Sequence, residues 1–117
     1  MLNKESHVVD EILTAVVAFY FNRYGEMLEQ VWLFGSKARG DYTIDSDVDV
    51  MVIVNDDAYI DKTIGNDTEK YDFAMDILTK YDELLSPKEY LISDFKSERI
   101  PLHRNVKREG ILFYEKQ

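Results

Sequence analysis

Cysteine is absent from the 117 residues, which excludes disulfides, thiolate metal sites and cysteine nucleophiles. That fits a reducing cytoplasm, the expected location. Histidine is scarce: His7 and His103 stand apart, and neither has metal-ligand spacing. Basic residues are in deficit, with 14 Lys and Arg against 23 Asp and Glu and a net charge of −9. A chain so acidic is a poor candidate for binding duplex nucleic acid. Long apolar runs are missing as well. Residues 12–21 form the longest, too short to span a bilayer. Asp10 and Glu11 directly precede that run and no small-x-small cleavage site follows, which argues against a signal peptide. No membrane association is expected. There is no repeat, low-complexity tract or linker. The length is one domain's worth and buries roughly two-thirds of the unfolded surface, so a single domain over residues 1–117 is expected.

What is present suffices for a folded core: 45% of residues are hydrophobic and 13% aromatic, which excludes intrinsic disorder. The charge is uneven. Residues 41–83 carry thirteen Asp or Glu against Lys62, Lys70 and Lys80, whereas residues 96–109 carry Lys96, Arg99, Arg104, Lys107 and Arg108 against Glu98 and Glu109. An acidic cluster suits divalent cations, which in turn attract a polyphosphate. The basic run reads as a solvated face.

Val9, Ile12, Leu13, Val16, Val17 and Tyr20 lie on one stripe of a helix over residues 6–24, with Ser6 as N-cap and Gly25 as stop. Residues 31–34 read as a short strand ended by Gly35. The near-continuous Val, Ile and Met of Val48–Val54 predict a strand buried on both faces. A weak helix is expected over 56–71, interrupted by Gly65 and Asn66, then a third strand over 73–78. Residues 87–109 read as mostly helical with a break at Pro101, Gly110 closes that stretch, and 111–114 form a last strand. Helices alternating with strands predict an α/β layer architecture with a mixed sheet of three to four strands packed with helices.

The informative stretch is residues 33–54, LFGSKARGDYTIDSDVDVMVIV. Gly35-Ser36 follows the first strand, and ten residues later Asp47-x-Asp49 opens the second. Residues i and i+2 of a strand share a face, so the two carboxylates stand side by side. They repel one another unless a cation lies between them, and hard cations such as Mg²⁺ prefer oxygen ligands. Gly35 permits a sharp bend and close approach to a ligand. Ser36 adds a hydroxyl and a backbone N–H at the start of a short helix, residues 37–39, suited to an anion. The end of one strand and the beginning of the next meet only if the strands are antiparallel, which the loop 40–46 permits. Phosphate on one side and metal on the other is the arrangement of metal-assisted phosphoryl or nucleotidyl transfer. Two metals call for a third carboxylate. Asp76, between Met75 and Ile77 in the predicted third strand, is the candidate, as metal ligand and general base; Asp72 and Asp82 fall outside the apolar run. Arg39 is either a phosphate ligand or a partner of Asp41 or Asp45, and Tyr42 is the aromatic nearest the motif, a candidate contact for a base.

The pattern Gly35-Ser36-x10-Asp47-x-Asp49 resembles the signature of the polymerase-β-type nucleotidyltransferase superfamily. The wording GSKARGDYTIDSDVDVMVIV and the ending NVKREGILFYEKQ are similar to its minimal nucleotidyltransferase branch, which often has Arg where this chain has Lys37. The resemblance implies the nucleotidyltransferase fold, a nucleoside triphosphate donor such as ATP, two Mg²⁺ ions and release of pyrophosphate. Gly35, Ser36, Asp47 and Asp49 match the motif directly; Asp76 carries over without a fixed spacing. Minimal members are commonly antitoxins paired with a small all-helical HEPN-domain RNase, and some adenylylate a tyrosine of that toxin. The expected function is thus Mg²⁺-dependent transfer of AMP to a hydroxyl of such a partner. Two alternatives stand beside it: a non-catalytic antitoxin that neutralises its partner by binding, and a nucleotidyltransferase acting on a small, aminoglycoside-like acceptor. The motif and its strands use most of the chain, so an acceptor pocket is expected from a partner chain or from self-association.

Overall fold

The computed structural model describes residues 4–60 and 67–117, residues 4–6 by backbone alone. Helix α1 (Lys4–Tyr24) is followed by a 3-10 turn (Gly25–Met27), strand β1 (Leu28–Phe34), the single-turn helix α2 (Ser36–Arg39) and strand β2 (Val48–Val54). Then come helix α3 (Thr68–Tyr81), strand β3 (Leu85–Leu91), helices α4 (Ile92–Ser97) and α5 (Pro101–Glu109), and strand β4 (Ile111–Glu115). The strands form a mixed sheet in the order β3-β2-β1-β4. β1 is antiparallel to both β2 and β4, and β3 is parallel to β2.

The sheet order follows from apolar content. Every residue of β2 except Asp49 is buried, and only an inner strand with helices over both faces can bury side chains of both parities. Val48, Val50, Val52 and Val54 join Val31 and Leu33 against α1, where Ile12, Leu13, Val16 and Tyr20 are buried, and against Ile77 of α3. The opposite parity, Met51 and Ile53, packs with Phe34, Trp32, Tyr90, Phe95 of α4 and Val106 of α5. Each fully buried aliphatic side chain contributes about 1.5–3 kcal/mol relative to exposure. His103 is buried in the second layer, its Nδ1 donating to the Asp94 carbonyl at 3.2 Å. No described helix is long and apolar enough to cross a membrane.

Two predicted elements are overturned. Residues 73–78 are not a strand but the middle of α3. Phe73, Ile77 and Tyr81, four residues apart, turn one stripe to the core, while Asp67 caps the start by accepting from the Lys70 N–H at 3.0 Å. Of the helix expected over 56–71, residues 61–66 lie outside the described residues, and the described helix begins at Thr68. Residues 85–91, read in part as helical, form β3. Pro87 lacks the N–H an inner strand needs, but β3 is at the sheet edge, where Pro is tolerated. The first helix begins at Lys4, so Ser6 falls in its first turn rather than before it. Gly25, Val48–Val54, the restart at Pro101 and the closing strand after Gly110 stand as expected.

Candidate active site

The antiparallel pairing of β1 and β2 sets Phe34 opposite Asp49. Gly35 follows Phe34 and therefore bends directly beside the carboxylate. It has φ +75°, and a Cβ there would lie 2.3 Å from Asp49 Oδ2. Glycine is thus required twice over, by conformation and by space. The Gly35 carbonyl accepts from the N–H groups of Ala38 (3.1 Å) and Arg39 (3.2 Å), and the Gly40 N–H returns to the Ser36 carbonyl at 2.9 Å. The first N–H groups of α2, from Ser36 and Lys37, precede any helical acceptor and are left for a ligand or solvent.

Asp47 and Asp49 share one face, that of Met51 and Ile53, toward the layer of α4 and α5. Both are half-buried. Among the described residues neither carboxylate makes a hydrogen bond or an ion pair with another side chain. Burial raises the Asp49 carboxyl above the usual carboxylate range, the neighbouring Asp47 charge adds to this, and Lys88 and Arg39 oppose it. The pair is electrostatically incomplete. A hard divalent cation held by Asp47 and Asp49 would supply the missing charge and take oxygen ligands, so the chemistry of the two donors fits such an ion.

The cations of α2 are engaged. Lys37 is buried, its Nζ 3.4 Å from Glu83 Oε1 and 4.3 Å from the centre of the Tyr42 ring. It ties α2 to the segment before β3, and Tyr42 serves as its platform. Arg39 pairs with Asp41 at 3.2 Å and Glu109 at 3.7 Å, yet stays 44% exposed and close enough to act on the Asp49 carboxyl. Arg104 and Lys107 share Glu98, and Arg108 bonds Asn105 at 3.1 Å, the solvated pairing expected of that run.

Asp76 does not join the site. The premise for it was a strand, and it lies instead on α3, exposed. That helix packs on the α1 side of the sheet, opposite the face of Asp49. Asp72 is exposed on the same helix, and Asp82 is its left-handed C-cap. The strand that lies beside β2 is β3, with Asp49 opposite Ser86, Met51 opposite Lys88 and Ile53 opposite Tyr90. Partners in a parallel ladder share a face, so β3 contributes Ser, Lys and Tyr there and no carboxylate. Glu89 points the other way, toward Tyr24 and Lys70. Among the described residues no group of three His, Cys, Asp or Glu is placed to hold a metal. Among the described residues, Asp47 and Asp49 are thus the carboxylates at this place, and Asp76 does not add a third. Ser86 and Lys88 went unrecognised in the sequence. The available signal was Pro87, which biases the residue before it to extended backbone.

Residues 17–117 match the family model described as polymerase beta, nucleotidyltransferase. A relative from Methanocaldococcus jannaschii, provisionally named a protein adenylyltransferase, is 30% identical over 113 residues, 94% of this chain and 98% of that one. A second protein of that organism with the same provisional name is 40% identical over 62 residues, 53% of this chain and 59% of its own. Among solved structures, a toxin–antitoxin crystallised with AMP-PNP has a similar fold, with TM-score 0.60 and 17% identity over 89% of this chain and 73% of the matched one.

Proposed function

Since the chain belongs to the polymerase beta nucleotidyltransferase family, we propose that it transfers AMP from ATP to a hydroxyl group of a partner protein, using Asp47 and Asp49 to hold Mg²⁺. The observation that carries this reading is the close approach of the Gly35 bend to the Asp49 carboxylate, beside Asp47, with neither carboxylate paired to another side chain among the described residues. A divalent cation bound there neutralises the carboxylates and the phosphate oxygens together. Gly35 and Ser36 seat the terminal phosphates through backbone N–H groups and the Ser36 hydroxyl. Arg39 adds positive charge at the rim. The acceptor oxygen bonds to the α-phosphorus, the bond to the bridging oxygen breaks, pyrophosphate leaves, and the hydroxyl proton passes to water.

A protein acceptor is supported by the provisional names of the relatives and by the toxin–antitoxin assembly that shares the fold. The partner class proposed is a small helical HEPN-type RNase toxin, with this chain as antitoxin. Replacing Asp47→Asn or Asp49→Asn is expected to lower label transfer from α-labelled ATP to that partner by at least about 10²–10³-fold, the range for losing one preorganised charge-stabilising group, while circular dichroism stays native. Transfer persisting in both variants rules the reading out. Neutralisation of the toxin by the transfer-dead Asp47→Asn variant would point instead to binding as the antitoxin mechanism.

A further inference from the structure

The sheet face that carries Asp47 and Asp49 continues onto β3 as Ser86, Lys88 and Tyr90. Lys88 is exposed on this edge strand. It lies one strand over from Asp49 and one same-face position further along, about 4.8 Å across and about 6.6 Å along the sheet, a gap a lysine side chain spans. Its charge already acts on the Asp49 carboxyl. Among the described residues it forms no ion pair, whereas Lys37 and Arg39 beside the same motif are held by Glu83, Asp41 and Glu109. A second divalent cation at this place would need a carboxylate from β3. The chain supplies an ammonium group instead, which would repel that cation and attract an anion.

Resting on the nucleotidyl-transfer reading above, we propose that the site works with one divalent cation, and that the Lys88 ammonium takes the place of a second by binding a phosphate oxygen of the nucleoside triphosphate. The charge logic is direct. Asp47 and Asp49 are neutralised by one divalent ion, which leaves the triphosphate's own charge uncompensated. An ammonium donates charge-assisted hydrogen bonds to phosphate oxygens as a compact point charge. Lys88 thus orients the phosphates from the β3 side while Gly35 and Ser36 hold them from the α2 side.

The test uses the purified full chain, α,β-methylene-ATP as a non-transferable nucleotide, and Mn²⁺ counted by electron paramagnetic resonance under equilibrium dialysis against a matched nucleotide reference. The unaltered chain should hold one Mn²⁺ with the nucleotide bound. Lys88→Met should weaken nucleotide binding about tenfold, the loss of one charge-assisted contact, with the ion count still one. Lys80→Met, a loss of the same charge on α3, should leave the affinity unchanged. Lys88→Glu, which restores a carboxylate to that face, should gain a second Mn²⁺. Two ions on the unaltered chain, an affinity untouched by Lys88→Met (an edge-guarding lysine only), or no second ion in Lys88→Glu would each overturn the proposal while leaving nucleotidyl transfer standing. Nucleotide bound without any retained ion would overturn the transfer reading itself, and this one with it.

Discussion

Two acidic regions of this molecule sit on opposite faces of one sheet, and they are built on opposite rules. On the α1 side, Glu89 is nearly inaccessible, its side chain 4% exposed, and its carboxylate accepts from both the Tyr24 hydroxyl and the Lys70 ammonium. Close by, Asp67 takes two hydrogen bonds from the Arg23 guanidinium, one of them at 2.7 Å, and a third from the Lys70 N–H. Burial, Glu89 and the Asp67 pairing shape the whole group: the Tyr20 and Tyr24 hydroxyls are pushed above their ordinary range chiefly by burial, and Arg23 is raised by its bond to Asp67. On the other face Asp47 and Asp49 have no such partners among the described residues, and Asp49 is driven up by burial and by Asp47. A carboxylate with all its acceptor positions filled is part of the scaffold. A half-buried pair left unpaired among the described residues is where the proposed function puts a cation.

Mutating each side sharpens the contrast. The largest expected effect is at Glu89. Glu89→Ala strands the Lys70 ammonium and the Tyr24 hydroxyl, and should lower unfolding free energy by about 3 kcal/mol, as for breaking a buried pair from one side; urea denaturation measures it, and a loss below 1 kcal/mol would mean that the network is not structural. A smaller effect is carried by pH. The Arg23 hydrogen bond holds the Asp67 carboxyl down to about 2, from 3.8 in the unfolded chain. The group is depressed in the folded state, so its contribution is complete above pH 4 and disappears as pH falls toward 2. Discounted for solvent screening, that is about 1 kcal/mol, and Arg23→Met should flatten the stability profile over that window. The smallest effect has the opposite sign. Asp49→Asn removes a charge that burial and Asp47 disfavour, so without metal it should leave stability unchanged or raise it, by about 0.5 kcal/mol or a few degrees in Tm, even as transfer is lost. A clear destabilisation by Asp49→Asn would erase the distinction between the two regions.

The two regions also differ in how far they could be read beforehand. Gly35, Ser36, Asp47 and Asp49 are close in the chain and their geometry is local: one bend, one loop and one antiparallel return bring them together, and each step has a residue signature. Lys88 and Glu89 belong to β3, whose Pro87 and mixed polarity hide a half-buried edge strand. Asp76 shows the cost of that ambiguity. The apolar run around it satisfies a strand and a helix equally at six residues, and only the packing of Phe73, Ile77 and Tyr81 against α1 decides for the helix. Once α3 took that stretch, the carboxylate moved to the other side of the sheet.

The sequence by itself determined the central buried strand, the glycine bend and the adjacent carboxylate pair, because period-two alternation and backbone sterics act over a few residues. The tertiary structure alone decided which strand lies beside β2, and hence that the neighbouring strand brings Ser86 and Lys88 rather than a carboxylate to the face of Asp49. Strand neighbours are chosen by the burial of whole faces, which no local pattern in the chain records.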